Sequence, residues 1–125
     1  MITEDYVSFE VAKLLKEKGF DSDDCFAFYN GKGEIKFLQT FSDIADYDEK
    51  TSIVCPTLQM AMKWLREVHN INIDTCSIWD ISHWLYQVFV ITPRTAHNSY
   101  VDKILYTSYE QAINAAIKYC LENLI

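Results

Sequence analysis

The chain has 125 residues, half of them hydrophobic, 14% aromatic and 23% charged, and eleven Lys and Arg against eighteen Asp and Glu leave a net charge of −7. This content excludes a disordered chain, and three Gly with two Pro exclude collagen-like or low-complexity sequence. A chain of this length reads as a single domain, 1–125, that can bury a core without a disulfide or a metal ion. The acidic start Met1-Ile2-Thr3-Glu4-Asp5 lacks signal-peptide character, and the longest apolar run, Val88-Phe89-Val90-Ile91, is strand-sized. Cys25, Cys55, Cys76 and Cys120 form no CxxC pair and read as reduced, mainly buried thiols. The expectation is a cytoplasmic chain with no membrane span. Its acidic balance argues against a nucleic-acid backbone or an anionic membrane as partner.

The first predicted helix takes Ser8 as its N-cap and carries Val7, Val11, Leu14 and Leu15 on one stripe. It ends at Gly19, with Phe20 folding back as the closure. A hairpin follows, Cys25–Tyr29 and Glu34–Leu38, joined by Asn30-Gly31-Lys32-Gly33. Residues 40–55 are the least regular stretch, with Asp43, Asp46, Asp48 and Glu49 among the scattered anchors Phe41, Ile44, Ile53 and Val54. The second helix is expected to begin at Pro56-Thr57, to bury Leu58, Ala61, Met62, Leu65 and Val68, and to end at His69-Asn70.

Ile71, Ile73 and Thr75 then alternate with polar residues as a strand, which 76–83 either extends or turns over. Trp84 through Thr92 is the strongest strand pattern, stopped by Pro93. Arg94 to Asp102 reads as a polar loop and Ile104-Leu105-Tyr106 as a short strand. Ser108-Tyr109-Glu110-Gln111 is a capping box opening a last helix, whose apolar face is Tyr109, Ala112, Ile113, Ala116, Ile117, Cys120, Leu121 and Leu124. The order α-β-β-α-β-β-β-α predicts an α+β fold: an antiparallel sheet of about five strands packed against three helices.

Chemical motifs are sparse. His69, Cys76, His83 and His97 are the candidate metal ligands, yet no pair has the short spacing that places two ligands on one turn. Asp21-Ser22-Asp23-Asp24 fails as a calcium loop, because Cys25 and Phe26 stand where an oxygen ligand and a glycine are needed. No metal or cofactor is therefore expected. Cys76 with His83 and Asp80, or Cys55 beside the second helix, are the thiols to weigh as nucleophiles. GxGxxG, Walker A and GxSxG are all missing from the sequence. From Thr57 onward the order α-β-β-β-α is that of a double-stranded-RNA-binding domain. Its last helix, however, opens Ser108-Tyr109-Glu110-Gln111 where a phosphate clamp needs lysines, so no nucleic-acid partner is expected.

One feature remains unassigned: Trp79, His83, Trp84 and Tyr86 crowd a single short segment. Trp and Tyr are typical anchors of protein interfaces, so these four form the candidate interaction surface.

Residues 2–20, Ile2-Thr3-Glu4-Asp5-Tyr6-Val7-Ser8-Phe9-Glu10-Val11-Ala12-Lys13-Leu14-Leu15-Lys16-Glu17-Lys18-Gly19-Phe20, and 56–67, Pro56-Thr57-Leu58-Gln59-Met60-Ala61-Met62-Lys63-Trp64-Leu65-Arg66-Glu67, resemble a family of small proteins encoded by gut Bacteroidetes and by their phages and prophages. The ending from Ser108-Tyr109-Glu110-Gln111-Ala112 to Lys118-Tyr119-Cys120-Leu121-Glu122-Asn123-Leu124-Ile125 is similar to that family's ending. The resemblance covers the three helices and implies a mobile-element origin and an intracellular bacterial setting. It carries no activity and no site residues. The functional expectation is a non-catalytic module that binds a protein partner. A small cysteine-dependent enzyme and an acidic inhibitor mimicking nucleic acid are the alternatives.

Overall fold

The computed structural model describes residues 4–21, 25–38, 45, 47–94, 96–101 and 104–125. The chain divides into two compact units, Met1–Thr57 and Leu58–Ile125. Most of the acidic run 21–24, and Phe41, Asp43, Ile44 and Asp46 of the irregular stretch, lie outside the described residues.

The first unit holds α1 (Phe9–Glu17), β1 (Ala27–Tyr29), β2 (Ile35–Phe37) and β3 (Ile53–Val54). The Ser8 hydroxyl accepts from the Val11 amide at 3.3 Å and caps α1 as expected. Gly19 takes φ 91°, and the Phe20 amide reaches back to the Leu15 carbonyl at 2.9 Å, which satisfies an orphan carbonyl of the last turn. In the hairpin the Asn30 side-chain oxygen accepts from the amides of Lys32 and Glu34 at 2.9 and 3.0 Å. Gly33 there adopts φ 78°, and Tyr29 is thereby set opposite Ile35. β3, a strand with no sequence forecast of its own, pairs with the other side of β1 through Phe28↔Val54 and Tyr29↔Ile53. The sheet order is β2-β1-β3, with α1 lying against β3. Val7, Val11, Ala12, Leu15, Ala27, Phe28 and Cys55 are buried in this unit.

The second unit runs α2 (Leu58–His69), β4 (Ile71–Ser77), β5 (Trp84–Ile91), β6 (Ala96–Val101) and α3 (Tyr109–Asn123). Its sheet is an antiparallel meander, β4-β5-β6. α3 lies against β4 and β5, and α2 against β4 and α3. The buried set is Leu58, Ala61, Met62 and Leu65 of α2 with Ala112, Ile113, Ala116, Ile117, Cys120 and Leu121 of α3. Ser108 accepts from the Gln111 amide at 3.2 Å, but the glutamine oxygen reaches Thr107, not Ser108. Asn70, at φ 57°, turns the chain out of α2 into β4.

The α+β class, the three described helices and the expected element order are all present, with β3 inserted. The strands fall into two three-stranded sheets where one sheet was expected. Pairing partners depend on long-range register, which local patterns do not specify. Four further differences are local. α2 starts at Leu58 and not at Pro56, because Thr57 is bridged to Tyr6 and the Pro56 carbonyl accepts from Val7. Val68, at the margin of the α2 stripe, is 57% exposed. The stretch read as a polar loop after Pro93 contains β6, while of 104–106 only Tyr106 pairs, in a single bridge to Trp84. Of the four thiols expected to be mainly buried, Cys55 and Cys120 are buried, Cys25 is half-buried and Cys76 is exposed. Among the described residues no helix is long and apolar enough to cross a membrane.

Candidate functional site

β4 and β5 are joined by a six-residue turn, Ile78 to His83, closed by the Ile78 amide donating to the His83 carbonyl at 2.7 Å. Asp80 organises it. One carboxylate oxygen accepts from the Ser82 amide at 2.9 Å, the Ser82 hydroxyl at 2.8 Å and His83 Nδ1 at 2.7 Å. The His83 hydrogen bond first, and those from Ser82 next, hold the Asp80 carboxyl well below its ordinary range, at about 2. The Trp84 indole N–H donates to the Ile81 carbonyl and ties the turn to the start of β5.

Two large apolar side chains stand on this turn: Trp79 is 82% exposed and Ile81 85%. Trp79 is also one of two described non-glycine residues at positive φ, at 72°. Its ring makes an edge-to-face contact with His83, the centroids 5.2 Å apart.

The structure therefore sorts the four candidate surface residues. Trp79 is out in solvent, while His83 and Trp84 are half-buried. Tyr86 is 3% exposed and belongs to the core, so it leaves the candidate surface. The alternation that puts Trp84 and Tyr86 on one face is correct, but that face is the one α3 covers. Trp84 packs edge-on against Tyr109 at 5.4 Å, and Tyr100 stacks on Tyr119 at 3.9 Å, both on this side. Ile81 was not singled out from sequence, since one isoleucine between Asp80 and Ser82 carries no signal of its own.

The thiol candidates separate as clearly. Cys55 is fully buried, its S–H directed at the Val7 carbonyl 3.5 Å away, and burial pushes its pKa up to about 12. Cys120, within the α3 core stripe, is likewise raised by burial to about 12. A thiol held in its neutral form is a poor nucleophile at neutral pH. Cys76 sits on β4 opposite Leu85, on the face away from α3. Among the described residues no three His, Cys, Asp or Glu side chains converge as a metal site. The His97 side chain lies outside the description. His69 ends α2 with its ring edge-on to Trp64 at 4.6 Å. A cavity of about 320 Å³ in the first unit is lined by Lys16, Phe20, Asp21, Tyr47, Glu49 and Val54, among others, and by none of the candidate metal ligands, thiols or surface aromatics.

No protein-family model, curated protein or solved structure matches the chain.

Proposed function

We propose that the chain is a non-catalytic protein-binding module, of the kind a phage or integrated element encodes, and that the Ile78–His83 turn meets the partner. The supporting observation is Trp79. A bulky residue in the left-handed region costs about 1–2 kcal/mol, and an indole 82% exposed returns little of it through burial. Stability alone favours Gly or Asn at such a position. A residue that the fold does not need, held at a backbone position it disfavours, points to a role outside the fold.

The Asp80 network adds to this. It orders the turn before any partner arrives, so less conformational freedom is lost on binding. Trp is among the residues that dominate binding energy, and an apolar pocket lined by aliphatic or aromatic side chains is the complementary feature. The mobile-element origin rests on the resemblance of the three helices.

Affinity capture from a Bacteroidetes lysate, wild type beside Trp79→Ala and Ile81→Ser, tests the proposal. A protein retained by the wild type and lost from both variants supports it. An identical set of proteins from all three refutes it.

A further inference from the structure

The cavity of about 320 Å³ is lined by residues of the first unit, and its volume is that of a small-molecule site. Two turns build it. On one side Gly19, at φ 91°, swings the chain off the end of α1, and the Phe20 amide is tied to the Leu15 carbonyl, which sets Phe20 and Asp21 in the wall. On the other side the turn from 48 to 52 closes around Asp48. Its carbonyl accepts from the Thr51 and Ser52 amides, and its carboxylate from the Lys50 amide and the Thr51 hydroxyl. Its own amide donates to the Ser52 hydroxyl at 3.0 Å. Val54, paired with Phe28, and Tyr47, edge-on to the Phe28 ring at 5.2 Å, supply apolar wall backed by a fully buried residue.

Two features of this lining point to a ligand. Ser52 is 3% exposed, and its hydroxyl accepts one hydrogen bond but donates to no described group, which leaves a buried donor at the cavity. The carboxylates of Asp21 and Glu49 likewise bond to no described group, whereas Asp48 uses both oxygens inside its own turn. Lys16 offsets one of those two carboxylates, so the lining stays negative. The wider field has the same sign: residues 1–57 hold six lysines against twelve Asp and Glu, −6 of the chain's −7. An anion is repelled from such a site and a cation is drawn in.

We propose that this cavity binds a small organic cation, an amine with a flat apolar body and a hydrogen-bond acceptor at its far end. The ammonium meets Asp21 and Glu49, both exposed, at the rim. The body lies against Phe20, Tyr47 and Val54, and the acceptor takes the Ser52 hydrogen. Both turns are ordered by their own hydrogen bonds, so little freedom is lost on binding. The site is separate from the Trp79 turn and stands or falls independently of a protein partner.

Titration of the whole chain with tyramine, read by nuclear magnetic resonance at the Gly19 and Ser52 amides, tests it. Two matched probes separate the contacts. Phenethylamine lacks the ring hydroxyl, and 3-(4-hydroxyphenyl)propionate carries a carboxylate in place of the ammonium. Tyramine is expected to shift both amides saturably. Phenethylamine should bind about two- to tenfold more weakly, for want of one hydrogen bond. The propionate should bind about tenfold or more weakly, because attraction at the rim becomes repulsion. Glu49→Gln leaves the hydrogen bonds of its turn in place. It is expected to weaken tyramine about two- to fivefold and to reduce the loss of binding with salt. Shifts that do not saturate in the millimolar range, a propionate that binds as well as tyramine, or binding unchanged in Glu49→Gln overturns the proposal.

Discussion

Trp79 allows the reasoning to be tested by a sign and not only a size. Replacing it by Ala keeps the side-chain penalty of the left-handed region, whereas replacing it by Gly removes that penalty. The penalty is about 1–2 kcal/mol. Glycine's greater freedom in the unfolded chain returns roughly 0.5–1 kcal/mol of this. Trp79→Gly should therefore be more stable than Trp79→Ala by about 0.5–1 kcal/mol. At an ordinary α or β position the order is reversed, with Gly the weaker by about the same amount. Both variants lose only an exposed edge contact with His83, about 0.5 kcal/mol, so the difference between them isolates the backbone. The assay is urea unfolding followed by tryptophan fluorescence. Trp64, Trp79 and Trp84 are the only three tryptophans and all lie in the second unit, so the two that remain report on that unit. Unchanged m-values would show that the compactness of the end states is unaltered. An Ala variant as stable as the Gly variant, or more so, would refute the left-handed assignment and remove the main support for the proposed function.

Gly19→Ala tests the first unit in the same way: no other group lies within 4 Å of a Cβ there, so its expected loss of about 1 kcal/mol, read from thermal unfolding by circular dichroism, is entirely backbone strain. At neutral pH a thiol reagent should modify exposed Cys76 promptly and leave buried Cys55 and Cys120 unmodified until the chain unfolds, as mass spectrometry of the labelled protein would show. Rapid labelling of Cys55 in the folded protein would revive the cysteine-enzyme reading. Alkaline stability follows from the same two thiols: each ionises near 9 when unfolded and about 12 when folded, so the stability they confer is full below 9 and is lost as pH rises toward 12. Urea midpoints measured between pH 8 and 11 should fall, and Cys120→Ala should flatten the decline. At the acid end, Asp80 contributes order to its turn above pH 3.8 and loses it as the pH falls toward 2, which the Ser82 amide resonance should follow.

The helices were legible because a helix announces itself twice, by apolar period and by caps. Ser8, Gly19 and Ser108 each end or begin a helix where the pattern places them. β6 was not legible, because the polar run His97-Asn98-Ser99 has no strand pattern, yet His97 and Asn98 pair through their backbone with Val90 and Phe89 of the strong strand β5. Ile104-Leu105-Tyr106 misled for the opposite reason: its residue types suit a strand, but it forms a single β-bridge, Tyr106 to Trp84, and no ladder. The division into two sheets was equally hidden, since alternation reveals that a segment is a strand and not which strand lies beside it.

The candidate site shows where pattern reading stops. Aromatic crowding drew attention to Trp79, Trp84 and Tyr86 alike, yet one is in solvent and another in the core. Periodicity assigns residues to shared faces; only the packing of α3 decides which face is covered. Nor does any local pattern disclose that Trp79 sits at positive φ or that Asp80 gathers three donors around one oxygen. Wherever a side chain agrees with the period of its element, burial explains its presence. Trp79 agrees with no period, gains little from burial and opposes its own backbone, so its presence has to be explained by something outside the fold.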